Sequence, residues 1–243
     1  MKLINRLLVA LLLSTIAVPS AFAVIMVTPS GSTGGEANGS PINFTRYQAN
    51  FTNALIGDSF TLNYDFTFSD ATTGESESIS ATATYTVESI GMNNLNLGIE
   101  IANNSDPGVA ILTFGINSNF DAMAASLSGG SVFTGMRSNS SFPGGFNPID
   151  VCMFADGNRN CNGGNINNGL QSGESDSLVL QLGEFGDSLI LSDFVMKFQG
   201  GLTSYELPGC IGDCTATSVP EPTAVALFGL GLLGLAAARR RRT

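Results

Sequence analysis

The sequence contains no histidine and no tryptophan. Without histidine there is no Ser-His or Cys-His nucleophile pair, no imidazole ligand for zinc and none of the commonest acid–base group. Without tryptophan, the ring that sugar-binding platforms favour is missing. Bases are scarce, ten against 20 acids, for a net charge of −10 and a pI near 4.2. Nothing so acidic neutralises phosphates, which excludes nucleic acid as a partner. Charged residues make up only 12% of the chain, about half the usual share. What is present is Gly (29 residues), Asn, Ser, Thr and a 43% hydrophobic fraction. The 243 residues make room for one β domain or two small ones.

The two ends read as targeting segments, not as fold. Residues 1–23 have the layout of a secretory signal peptide: Lys2 and Arg6, an apolar run from Leu7 to Val18, then Ala21-Phe22-Ala23 as a small-x-small cleavage site. Residues 223–238, TAVALFGLGLLGLAAA, form a second uncharged run, followed by Arg239, Arg240, Arg241 and Arg242. Sixteen helical residues span about 24 Å, short for a hydrocarbon core of about 30 Å but extended by snorkelling arginines. The arginines predict a cytoplasmic end by the positive-inside rule. With both ends removed, residues 24–218 hold four bases and 19 acids, a net charge of −15.

Val219-Pro220-Glu221-Pro222 stands directly before the apolar run. Pro-Glu-Pro, an apolar helix and an arginine cluster, in that order over 219–243, resemble the PEP-CTERM sorting signal. The resemblance implies an exosortase of Gram-negative bacteria as processing partner, so that the processing chemistry lies outside this chain. The two prolines enforce an extended segment at the membrane surface, which an enzyme in the membrane could read as a strand.

Between the ends, period-2 patterning predicts strands. Phe60, Leu62, Tyr64, Phe66 and Phe68 alternate with Ser, Thr, Asn and Asp, and so do Ile79, Ala81, Ala83, Tyr85 and Val87 with Ser and Thr. Further strands are predicted around Leu95–Ile101, Leu112–Ile116, Leu178–Leu182 and Phe194–Phe198, with shorter ones at 42–53 and 131–135. A short helix is predicted over 120–127, from Phe120, Met123, Ala124 and Leu127 on one face. Residues 128–147 and 156–176, rich in Gly and Asn, read as long surface loops, with 128–147 as the place where two sandwiches would divide. The predicted architecture is an all-β, antiparallel β-sandwich ectodomain, jelly-roll or immunoglobulin-like, over 24–207. A linker at 208–218 and a single transmembrane helix follow it. The segments GIEIANNSD, ILTFGINSN, GLQSGESDSLVLQL and FVMKFQG are similar to β-rich ectodomains of PEP-CTERM proteins, a similarity that implies no activity.

Four cysteines, Cys152, Cys161, Cys210 and Cys214, lie in the exported region. They allow three pairings, and proximity favours Cys152–Cys161 with Cys210–Cys214. Their spacing fits zinc ribbons poorly, and the compartment is oxidising. Asp156, Asn158 and Asn160 place oxygens at alternate positions, as calcium loops do. Against calcium stand Arg159 inside the loop, Cys161 where glycine is wanted and Asn167 where a bidentate acid is wanted. A Ser-Lys dyad has one candidate, Lys197, which the alternation points to solvent. Glu75 and Glu77 are a candidate acid–base carboxylate pair, in a turn that reads as solvated.

These residues predict a non-enzymatic exported protein with no required cofactor. Its partners would be the secretion machinery and signal peptidase, an exosortase, and the membrane through 223–238. It would be held transiently at the inner membrane and then reside at the cell surface or in a biofilm matrix. The alternative is a glycan- or calcium-binding module associated with exopolysaccharide.

Overall fold

The structure, a computed structural model, describes residues 25–214 apart from 38–39, 120–123, 147, 159 and 187. The signal-peptide reading, with Ala21 and Ala23, and the sorting segment 219–243 lie outside the described residues. Among the described residues no helix is long and apolar enough to cross a membrane.

In chain order the strands are β1 (Met26–Ala37), β2 (Ser40–Asn50), β3 (Ser59–Ser69), β4 (Ser76–Gly91), β5 (Asn94–Asn103), β6 (Ala110–Ser118) and β7 (Ala124–Gly129). They continue as β8 (Phe133–Ser140), β9 (Ile149–Ala155), β10 (Leu170–Gln171), β11 (Ser175–Gly183), β12 (Ile190–Gln199) and β13 (Ser204–Pro208). One sheet runs β13-β1-β2-β12-β6-β9-β8, with β10 added to β6; the other runs β3-β4-β5-β11-β7. The ladders are antiparallel throughout.

The alternating sequences set the inner faces. Along β4, Ile79, Ala81, Ala83, Tyr85 and Val87 are buried while the Ser and Thr between them stay half-exposed, as the two-residue repeat of a strand requires. The two inner faces meet through aromatic rings. Phe194 of β12 lies 5.6 Å from Phe60 of β3 and 5.1 Å from Tyr85 of β4, centroid to centroid. Tyr205 of β13 lies 6.2 Å from Phe66 and 5.9 Å from Phe68 of β3. Such edge-on pairs add to the area they bury. One core cluster spans both sheets, so the layers are a β-sandwich.

Several expectations need correction. Residues 124–127, expected in a helix, belong to β7, which pairs with β11 from Leu178↔Gly129 to Gly183↔Ala124. Only Ala125 and Leu127 lean on the core there, a period-2 pattern too short to outweigh the helical reading by sequence alone. Residues 128–147 are not a long loop, because β8 occupies Phe133–Ser140 and pairs with β9. The expected linker is docked as far as Cys214: Cys210 bridges Asn63 of β3 in both backbone directions, at 2.9 Å each.

The β7–β8 connection is held by one buried carboxylate. Asp176, at the start of β11, accepts from the backbone N–H of Ser131 (2.7 Å), Val132 (3.0 Å) and Phe133 (2.8 Å) and from the Ser131 hydroxyl (2.9 Å). Burial pushes this carboxyl upward, but the backbone donors outweigh burial and hold it below its ordinary value. Asp176→Ala is expected to cost about 1–3 kcal/mol by stranding those donors. A depressed pKa contributes stability above the unfolded value near ~3.9, and that contribution is lost as pH falls below it. Urea unfolding at pH 7 and pH 3 should therefore show the gap between variant and wild type closing in acid.

Candidate functional site

The outer face of the larger sheet carries the polar groups that a function could use. It is roofed by the segments 141–146 and 160–169, which bury a second, smaller core: Phe142, Phe146, Ile149, Cys152, Phe154, Cys161 and Val195. The Cys152–Cys161 disulfide, with Cα atoms 6.2 Å apart, ties β9 to the second roof segment. Cys210 and Cys214 form the other disulfide, 5.5 Å between Cα atoms. Both pairings are those that proximity favoured.

Under this roof Lys197 and Glu206, opposite each other on β12 and β13, form a direct ion pair. Lys197 was expected at the solvent; it is buried instead, because the face that alternation leaves outside is covered by loops. A Cβ at Gly144 would stand 2.5 Å from Glu206 Cβ, and one at Gly163 2.7 Å from Lys197 Cε. Only glycine backbone allows so close an approach. Glu36, opposite Glu206 on β1, completes a Glu-Glu-Lys row. Burial pushes the Glu206 carboxyl up, Lys197 pulls it back, and Glu36 adds to the rise; the net direction is upward.

A second network lies at the other end of the same face. Asp193 Oδ2 accepts from Arg46 Nη1 at 3.1 Å and from Asn117 Nδ2 at 2.9 Å. The Arg46 guanidinium stands 5.6 Å from the Phe146 ring centroid, a cation–π distance. Asp150 accepts from the Ser118 N–H at 2.7 Å. Together these side chains line an open cavity of about 240 Å³. Asp193 sits at φ 49°, in the left-handed region, beside a register shift between Ser192 and Val195. Sequence reasoning missed this network; the signal was Asp193 breaking the apolar run of β12.

The calcium-like residues do local work. Asp156 Oδ1 accepts from Gly157 N–H, Asn158 Oδ1 from Asn165 N–H and Asn160 Oδ1 from Asn162 N–H. Asn158 is buried while Asp156 and Asn160 are exposed. Among the described residues no three or more His, Cys, Asp or Glu side chains gather as metal ligands. Glu75 and Glu77 part company as well. Glu75 is exposed, whereas Glu77 is buried between the sheets, accepting from the Tyr205 hydroxyl at 2.5 Å and from Gly201 N–H at 2.8 Å. The turn reading placed Glu77 in solvent; β4 begins at Ser76 and turns it inward.

The fold and these networks define an antiparallel β-sandwich whose charged groups brace strands. Residues 218–242 match the PEP-CTERM protein-sorting motif, so the chain carries that motif in the segment where Pro220, Glu221, Pro222 and the four arginines stand. The motif supports an exported protein sorted by an exosortase. No curated protein and no solved structure matches the chain.

Proposed function

We propose that the chain is a non-catalytic structural protein of the cell surface or extracellular matrix. Its jelly-roll or immunoglobulin-like sandwich is held by a transmembrane helix at 223–238 until an exosortase acts near 219–222. The observation that carries this reading is the sorting-motif match at 218–242. The networks described above support it: their carboxylates are engaged by cations, hydroxyls or backbone N–H groups that fix the fold. An open groove of about 370 Å³ on the smaller sheet is lined by Thr84, Thr86, Glu88, Glu100 and Ser177 among others, with no aromatic ring. That lining suits a solvated acidic surface better than a sugar platform. Deleting 219–243 is expected to abolish retention in membrane fractions and display at the surface. Fractionation with intact-mass measurement tests this, and unchanged display would overturn the reading.

A further inference from the structure

The sandwich has two unlike ends. At one end lie the 51–58 connection, the β4–β5 turn at Gly91–Asn94, residues 184–186 and 188–189, and the start of β1. Register and hydrogen bonds tie them together: Met26 and Ile190 both pair with Asn50, Phe51 N–H donates to Leu189 O, Gly57 N–H to Val87 O and Glu184 N–H to Asn93 O. At the other end are the turns 70–75 and 104–109, built from Asp, Thr, Asn, Ser, Pro and Gly in the main.

Large exposed apolar side chains are confined to the first end and to the exit of the chain. Among the described residues they are Met26 (65% exposed), Leu55 (54%), Ile56 (69%), Met92 (93%) and Ile211 (42%). The first four belong to the first end, and Ile211 lies in the segment that leaves the fold. Between them opens a cavity of about 400 Å³ whose lining includes Phe51, Ala54, Ile90, Phe185 and Leu189. Soluble domains scatter such residues singly; gathered at one pole they mark a contact surface.

The chain leaves towards that same end. β13 runs antiparallel to β12, from Ser204 beside Gln199 to Pro208 beside Val195, and so heads for the Ile190 end. The segment then crosses to Asn63 of β3, where Cys214 Sγ lies 3.1 Å from Asn63 O. Asn63 is four residues from Ser59 at the apolar end, about 13 Å of strand. From Cys214 the apolar run at Thr223 is nine residues away, at most about 30 Å. The leading apolar run ends at Val18, seven residues before Ile25, the residue preceding β1, with the expected cleavage site at Ala23 between them. The first strand therefore starts at the apolar pole, and the apolar run of the tail lies within tether reach of it.

We propose that this pole faces the membrane, with Leu55, Ile56 and Met92 seated at the headgroup–acyl boundary of a zwitterionic lipid surface while the chain is anchored. The proposal rests on the reading of 223–238 as the anchor. The excess of acids makes a strongly anionic surface repulsive, which selects zwitterionic lipid. Three apolar side chains hold a free domain on a bilayer only weakly. A short tether raises the effective concentration into roughly the millimolar range, so contact persists while the anchor is intact. Cleavage near 219–222 removes the tether and releases the domain without any change in its fold.

The absence of native tryptophan makes the test clean. Ile56→Trp, Met92→Trp and, at the opposite end, Ala71→Trp would each be the sole tryptophan of the full chain, reconstituted in phosphatidylcholine vesicles with brominated acyl chains. Emission at 56 and 92 should shift to the blue and be quenched at least twofold, with the 71 signal unchanged. Hydrogen exchange of the unsubstituted chain should slow at 51–58 and 91–94 on vesicles and recover when the tail is cut. Full exposure at both probes in chains that float with the vesicles would overturn the proposal and leave the anchor standing. A blue shift without bromine quenching would overturn it in favour of a second copy covering this end. A chain that does not float would overturn the anchor reading and this proposal with it.

Discussion

Lys197→Met is expected to cost about 3–5 kcal/mol of folding stability at neutral pH, because it strands a buried carboxylate. Glu206 is 2% exposed on its side chain, and its neighbour on β1 is another acid, Glu36. Desolvating a charge is costly, and here the compensating ammonium would be gone. Methionine fills the space of the lysine stem, so packing under Gly144 and Gly163 changes little. The sign with pH follows from Glu206, whose folded pKa is raised. The native state binds the extra proton, so stability falls as pH rises from the unfolded carboxylate value, near ~4.3, through the folded one. In Lys197→Met that folded value rises further, so the deficit should be largest at pH 7 and shrink below about pH 4. The double variant Lys197→Met, Glu206→Leu removes both charges and should return to within about 1.5 kcal/mol of wild type or exceed it. Urea unfolding of wild type, single and double variants measures this. Equal losses in single and double variants would show that packing, not charge, matters at this site.

The same pair shows what the sequence carried and what it did not. Facing was legible wherever one side of a strand was apolar and the other polar, as in β3 and β4. From that alternation the all-β class and the main strands followed, and the disulfides followed from proximity. Alternation says which side of β12 Lys197 takes, but not that a roof covers that side. The roof depends on Phe142, Phe146 and the Cys152–Cys161 link coming back over the sheet, a tertiary event with no local period. Strands β9 and β13 were not expected, nor were β1, β7 and the part of β8 beyond residue 135, the last three for a related reason. Their sequences, MVTPSGSTGGEA, AASLSG and FTGMRSNS, are small and polar and carry little hydrophobic signal. They are ordered by the ladders of their neighbours. Sequence reading assigns Asp193 and Asp176 no role; the structure supplies Arg46 and Asn117 for one and three backbone N–H groups for the other. The sorting segment was legible because its parts are contiguous in sequence and need no fold to be recognised.

Pro220→Ala with Pro222→Ala is expected to convert most of the protein into an unprocessed membrane form. Proline fixes φ near −65°, lacks an N–H and disfavours helix in the residue before it. Two prolines flanking Glu221 therefore disfavour helix just before Thr223, where the proposed membrane helix would start. With both replaced by alanine, the strongest helix former, the helix can grow backwards by about one turn. A processing enzyme that reads an extended strand then meets carbonyls already bonded within a helix. Glu221→Gln leaves the shape and removes only the charge that a basic pocket could pair, so it should slow processing less than the double variant does. Replacing Arg239 to Arg242 by asparagine acts on orientation and retention instead, because it is positive charge that holds an end in the cytoplasm. The ratio of full-length to shortened protein in membrane fractions distinguishes the three. The double-alanine ratio should rise by roughly tenfold or more, a barrier change of about 1.4 kcal/mol. Processing at the wild-type rate in the double-alanine variant would show that 219–222 is not read as an extended strand, and would leave 223–243 as a membrane anchor alone.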